Sequence, residues 1–209
     1  MTGRSNENLV RVLSRRSVFA ILVLLTAAGC LGRSPEARHF ILGASALSPP
    51  VEQKLNVAVL VGPIRLPAYL QRSQIATLKM DGEIELHEFD RWLGGFEENF
   101  ARAMTLGLAR ELGSDRVVTA PSRAPFDFDY QVRLHVDDMI FESVGTLRLR
   151  IRWALMPKSQ GVPPSFFVMD ERFPVEGDEI GDLVRAHEKA LMVLVRRIAN
   201  KVVQLEAAP

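Results

Sequence analysis

Between Phe126 and Asp137 every second residue is apolar. Phe126, Phe128, Tyr130, Val132, Leu134 and Val136 fall on one side, and Asp127, Asp129, Gln131, Arg133, His135 and Asp137 on the other. A two-residue period is that of a β-strand with one face in a core and one in water. Thr146–Leu155 repeats the pattern: Leu147, Leu149, Ile151, Trp153 and Leu155 alternate with Arg148, Arg150 and Arg152. Pairing the two segments across Ser143–Gly145 sets Phe141 opposite Leu147 and Met139 opposite Leu149. Farther out, burial requires Val136 to meet Ile151 and Leu134 to meet Trp153. These two requirements differ by one residue. A one-residue slip would turn a strand inside out, so one residue must be left unpaired. A β-bulge is therefore predicted at Asp137-Asp138, with an aspartate brought near Arg150.

The remaining elements are shorter. His39–Leu42 reads as a brief strand, and Gly43–Gln53, with Pro49-Pro50, as a linker. Leu55–Val61 is a nearly continuous Val-rich run, which fits a central strand buried on both faces. Ile75–Met80 and Ile84–Phe89 form a predicted hairpin with a three-residue loop, Asp81–Glu83. That loop sets Met80 opposite Ile84 and Leu78 opposite Leu86. Phe96–Leu112 has apolar residues at helical spacing, and Gly113 is its stop. Arg116–Ala120 is a strand closed by a Pro121–Pro125 turn, and Ser165–Val175 is another strand. From Ile180 to about Leu205, Leu183, Val184, His187, Leu191, Leu194, Val195, Ile198 and Val202 make a helical stripe. The fold class is α/β: a single domain with a mixed, mostly antiparallel sheet and two packed helices.

The amino terminus carries a different message. Residues 1–16 hold four arginines and one acid, and Val18–Ala28 is apolar or small without charge. This is a leader pattern too short for a comfortable membrane span. It ends in Ala27-Ala28-Gly29-Cys30, and Cys30 is the only cysteine of the chain. Small residues before a lone cysteine resemble a bacterial lipoprotein box. Such a thiol receives a diacylglycerol after cleavage before it. The usual Leu three places earlier is here Ala27. Ser14–Phe19 also resembles a twin-arginine export motif, whereas the apolar Ile21–Leu25 suits the general secretory route better. Both routes end in the periplasm. The expected organisation is a signal peptide (1–29), then a lipidated amino terminus with the first short strand and linker (30–54), then the domain (55–209). Leu31 follows the cysteine where an Asp would resemble an inner-membrane retention signal, so the outer membrane is the expected destination. Losing residues 1–29 removes four arginines and one glutamate, which turns a net charge of +1 into −2. A chain so balanced has no basic excess for a nucleic-acid backbone.

Reaction chemistry is not visible in the sequence. The four histidines, His39, His87, His135 and His187, are far apart, and His87-Glu88 and His187-Glu188 lack the second histidine of a zinc-protease helix. Gly43-Ala44-Ser45-Ala46-Leu47 lacks the closing glycine of a nucleophile elbow. His187 lies on the apolar stripe and reads as a core histidine. Asp137-Asp138, adjacent on a strand, suit a bulge better than a catalytic pair. The row Arg148, Arg150, Arg152 reads first as a solvated face paired across strands with Asp127, Asp129 or Asp137. Its other reading is a cationic strip for phospholipid head groups or a partner. No cofactor or metal is expected.

Val61-Gly62-Pro63-Ile64-Arg65-Leu66-Pro67-Ala68-Tyr69-Leu70-Gln71-Arg72-Ser73-Gln74-Ile75 resembles the signature of ABC-type transport auxiliary lipoproteins, the PqiC-like family. Arg91-Trp92 before a helix, Phe126–Glu142, Arg150–Leu155 and Ala186–Leu191 are similar to the family as well. After Arg91-Trp92 the family usually carries a small residue, an acid and a proline. Here Leu93-Gly94-Gly95 stands instead. The resemblance implies a non-enzymatic lipoprotein that docks an intermembrane lipid-transport system at the outer membrane. Its implied partners are a periplasmic MCE-domain protein and the associated transporter subunits, with a homo-oligomer as a further option. Arg65, Pro67, Tyr69, Leu70, Arg72, Gln74, Arg91 and Trp92 are the implied partner-binding residues. The alternative is a periplasmic lipid carrier with a cavity between sheet and helices.

Overall fold

A computed structural model describes residues 35–43, 55–142, 145–159 and 161–207. The leader, Cys30, the Gly43–Gln53 linker apart from Gly43, and part of the Ser143–Gly145 turn lie outside the described residues. The chain divides at Glu36/Ala37, and everything below concerns the unit that begins at Ala37. It contains eight strands in one sheet: β1 Arg38–Phe40, β2 Val59–Arg65, β3 Gln74–Leu78, β4 Ile84–Trp92, β5 Val117–Thr119, β6 Tyr130–Glu142, β7 Thr146–Pro157 and β8 Ser165–Pro174. Two helices complete it, α1 Phe96–Leu112 and α2 Ile180–Glu206, with a single 3-10 turn at Ala68–Gln71. The sheet order is β1-β4-β3-β6-β2-β5, and β7 and then β8 extend it from the other edge of β6. The parallel pairings are short, whereas the antiparallel β6/β7 and β7/β8 ladders run nearly the whole length of their strands. The sheet is thus mixed and mostly antiparallel by paired length.

β6 organises the rest. Its ladder with β7 pairs Leu134 with Trp153, Val136 with Ile151, Met139 with Leu149 and Phe141 with Leu147, and the register shifts between Val136 and Asp138. This is the bulge that alternation demanded. Asp138 stands opposite Arg150. Asp137, the extra residue, turns to Arg152 at 2.6 Å, and that guanidinium holds its carboxyl below the usual carboxylate range. The other edge of β6 is shared. β2 runs parallel to its first half, from Tyr130 to His135, and β3 to its last two residues, Phe141 and Glu142. The chain between β2 and β3 therefore leaves the sheet beside the bulge.

Four expectations shift in detail. The alternating segment read from Phe126 is strand only from Tyr130, so Phe126 and Phe128 lie ahead of β6. The first strand covers Arg38–Phe40 and pairs in parallel with Asp90–Trp92. The hairpin loop has three residues, but they are Met80–Gly82. Lys79 donates its N–H to Glu83 O, Gly82 to Lys79 O, and Leu78 faces Ile84. A tight turn closed by a glycine at φ 88° fixes the loop one residue earlier than the apolar pattern suggested, and Met80 is left 88% exposed. β2 is interior, between β6 and β5, but its pairing begins at Val59 and Leu60 is only half-buried. Both helices lie on one face of the sheet, so the opposite face stays open to solvent.

The core is the layer between the sheet and α1 and α2. Phe96, Phe100, Met104 and Leu108 of α1 are at most 1% exposed. So are Leu194, Val195 and Ile198 of α2, and Val132, Val136 and Met139 of β6 and Leu147, Leu149, Ile151 and Leu155 of β7. Each such side chain stabilises by about 1.5–3 kcal/mol on burial. The helices meet closely at Gly107, where an added Cβ would lie 3.0 Å from Val195. α2 is 27 residues long, about 40 Å, and spans the sheet.

Deletion of Asp137 should force β6 into one register and turn half of its apolar side chains outward. Urea unfolding followed by circular dichroism should then lose its cooperative transition. Asp137→Asn keeps the extra residue and should cost under about 1 kcal/mol.

Candidate functional site

The segment that leaves β2 beside the bulge is held rigidly. Leu70 is buried, and Gln71 donates its side-chain amide to Leu66 O at 3.0 Å. Tyr69 is turned inward. Its hydroxyl accepts the Met139 N–H at 3.1 Å and reaches the Asp138 carboxylate at 3.4 Å. Burial is the main cause that raises its phenol above the ordinary range. Met139 lies on the stretch of β6 that neither β2 nor β3 covers, so the phenol supplies the partner a neighbouring strand would have given.

The sequence-derived residues divide into two groups. Leu70 and Trp92 are core, 5% and 3% exposed, and Tyr69 spends its hydroxyl on β6. Arg65 and Arg72 are exposed, and neither has an ion-pair partner among the described residues. Pro67 is half-buried. Gln74 and Arg91 are aligned across β3 and β4, and both contact Glu88: Gln74 at 3.2 Å, Arg91 at 2.5 Å. The structure thus brings Gln74 and Arg91 together at the foot of the loop, next to Trp92, whose N–H donates to Ser73 O at 2.7 Å.

Trp92 anchors an aromatic cluster. Its ring lies 5.2 Å from Phe96 and 5.5 Å from His187, edge-on to both. The Leu93-Gly94-Gly95 departure has a local reason. Gly94 and Gly95 take φ 76° and 91°, a region L side chains rarely adopt, and Asn99 donates to both Leu93 O and Gly95 O. His187 is fully buried and donates Nδ1–H to Leu183 O at 2.8 Å. Burial pushes its imidazole down to about 4. It is a neutral core residue.

The arginine row also resolves. Arg148 pairs with Asp170 at 3.0 Å and Arg152 with Asp137, while Arg150 lies 3.9 Å from Asp170. Asp127 pairs instead with Lys158, and Asp129 accepts the Ala58 N–H. β8, not singled out for this role, supplies the acid: Asp170 stands opposite Arg150 and reaches diagonally to Arg148. Among the described residues no group of His, Cys, Asp and Glu could hold a metal ion, and no helix is long and apolar enough to cross a membrane.

The open face carries a groove of about 460 Å³ that sequence reasoning did not find. It runs from Pro63 and Arg65 over β6 and β7 to Phe166 and Val168. The groove touches the loop through Arg65. Between sheet and helices, where a carrier would hold its cargo, core side chains pack together, and the pockets at the two ends of α2 are smaller, about 260 and 250 Å³.

Comparison with known proteins decides the family. Residues 41–199 match the model of the ABC-type transport auxiliary lipoprotein component. The chain belongs to that family. Its fold is shared by solved structures of low identity. A crystal structure of an uncharacterized protein superposes with a TM-score of 0.64 at 12% identity, over 80% of this chain and 99% of that one. A Xanthomonas campestris protein superposes with a TM-score of 0.55 at 14% identity, over 79% and 90%. No curated protein matches the sequence. The family is one of transport auxiliary lipoproteins and not a known enzyme class.

Tyr69→Phe should leave the Met139 N–H without its partner and cost about 1–3 kcal/mol in urea denaturation, with the native fold kept. A second prediction concerns His187. Its folded-state pKa is depressed below the ordinary 6.5, so the unfolded chain binds the proton first as pH falls. Its contribution is complete above about pH 6.5 and is lost towards pH 4, a span worth roughly 3 kcal/mol. Unfolding free energies at pH 7, 5.5 and 4.5 should fall more steeply for the native protein than for His187→Gln.

Proposed function

We propose that the protein is an outer-membrane lipoprotein that serves as the docking subunit of an MCE/ABC-type intermembrane lipid-transport system. Export removes residues 1–29, and acylation of Cys30 fastens the chain to the periplasmic leaflet of the outer membrane. One acyl chain binds a bilayer marginally, and several bind it firmly. Seven residues, Leu31–Ala37, separate Cys30 from the first strand, so the tether reaches at most about 30 Å and keeps the domain close to the membrane. Leu31 after the cysteine supports the outer membrane over retention at the inner one.

The observation that carries the reading is the loop between β2 and β3. Tyr69 and Leu70 fasten it from below, while Arg65 at its entry and Arg72 at its exit are exposed and make no ion pair among the described residues. Two cations without an internal ion pair need break none when an acidic partner arrives, and a rigid frame loses little entropy on binding. Arg65, Arg72, Gln74 and Arg91 form the contact surface, and Pro67 limits the loop's freedom. The partner is a periplasmic MCE-domain subunit. Any ATP hydrolysis belongs to another subunit.

Affinity purification from membrane extract checks both halves. The native protein should carry an acylated amino-terminal cysteine by mass spectrometry and should copurify the MCE-domain subunit. Arg72→Glu should reduce that recovery at least about ten-fold with an unchanged unfolding midpoint. Cys30→Ala should move the protein from the membrane to the soluble fraction. A bare thiol on an uncleaved leader, or recovery indifferent to Arg72→Glu, would sink the corresponding half.

A further inference from the structure

The groove on the open face has an unusual construction. Cross-strand register aligns Arg65 of β2 with His135 of β6, His135 with Arg152 of β7, and Arg152 with Val168 of β8. The next row aligns Arg133 with Ala154 and Ala154 with Phe166. Ala154 is the small residue in that row, and the dip lies over it. Phe166 and Val168 stand beside the dip at 76% and 68% exposure, among the most exposed large apolar side chains of the described residues. Three arginines and a histidine line the groove, and no carboxylate does.

Nearby groups do not cancel that charge. Asp137 offsets Arg152 and lies 3.5 Å from His135. Arg133 makes no ion pair among the described residues. Its Nε and Nη2 both donate to Gln131 Oε1, and Gln131 in turn donates to the Gly62 carbonyl at 2.8 Å. The guanidinium is thus held over the groove by a chain that begins at the β2 backbone. Arg65 is likewise unpaired.

We infer that this groove receives an acidic, apolar segment of a partner protein, with its carboxylates on Arg65 and Arg133 and its apolar side chains against Phe166 and Val168. Charge complementarity selects the acids, and the exposed Phe and Val select the apolar anchors. The groove is broad and open, and its apolar residues form a rim. An acyl chain there would remain half in water, whereas a protein segment would cover the rim. The inference rests on and extends the docking reading above, because Arg65 belongs to both surfaces, and it adds a second contact region that continues from Arg65 across β6 and β7 to β8.

The test uses the full-length processed protein in detergent and fluorescence anisotropy with two labelled ten-residue peptides, alternating Leu-Asp and alternating Leu-Lys. The Leu-Asp peptide should bind saturably, at least about ten-fold more tightly than the Leu-Lys peptide, and should weaken as salt is raised. Arg133→Glu and Phe166→Ser should each weaken it about five- to ten-fold. Both positions are exposed, and unchanged urea midpoints would confirm that the fold persists. Arg72→Glu, outside the groove, should leave peptide binding unchanged. Equal affinity for both peptides would overturn the inference. So would an absence of binding, or indifference to Arg133→Glu and Phe166→Ser. Association with phosphatidylglycerol vesicles that these two substitutions abolish, without peptide binding, would make the face a membrane contact and overturn it too. If copurification depends on Arg72 and the peptide does not bind, the groove proposal falls alone. If the peptide binds and copurification is indifferent to Arg72, the docking reading falls alone.

Discussion

The extra residue in β6 governs the architecture. With Asp137 left out of the ladder, Leu134 and Val136 on one side of it and Met139 and Phe141 on the other all face the helices. Without it, one half of a thirteen-residue strand would present its apolar side chains to water. The bulge falls on the stretch of β6 between the reach of β2 and the reach of β3, so the edge there lacks a strand partner. Backbone donors in such a place need a substitute. The Tyr69 hydroxyl provides it at Met139, and in doing so fixes the loop that joins the two parallel strands. The register requirement of one hairpin thus sets where the surface loop stands and how firmly.

The two faces of the sheet have different duties. On one, α1 and α2 bury a continuous apolar layer, and nearly all the stabilising area is there. On the other, the strands present Arg148, Arg150, Arg152, Asp170 and Arg172 in exposed ion pairs, which solvent screens so that they add little to stability. Substitutions on the open face change charge and shape with little effect on folding. Stability and recognition are therefore separable by mutation.

The long-range register was legible because burial and alternation conflict unless one residue is skipped. The sequence offers Asp137-Asp138 as the place where both demands are met. Helix α1 was legible to its last residue because Gly113 follows the apolar stripe. The hairpin register was not, since Met80 is apolar and yet sits in the turn. Turn geometry around Gly82 outweighed the gain from pairing one exposed side chain. In the candidate site, the loop was visible as a motif, but its orientation was not. Tyr69 reads as a surface aromatic until Met139 is placed beside it, 70 residues away. Trp92 similarly becomes core only once α2 brings His187 against it. The groove was beyond reach because its shape depends on Ala154 lying between Arg133 and Phe166 on three different strands.

Rigidity links the loop to the open face. Gln131 bridges the Gly62 carbonyl, in the middle of the strand that feeds the loop, to the Arg133 guanidinium over the groove. Tyr69 ties the far side of the same loop to Asp138, one residue beyond the bulge. A side chain already held in place loses less freedom when a partner arrives, so more of its contact energy appears as affinity. Here the same bulged strand that completes the core also supplies anchor points for the β2–β3 loop and for the guanidinium over the groove.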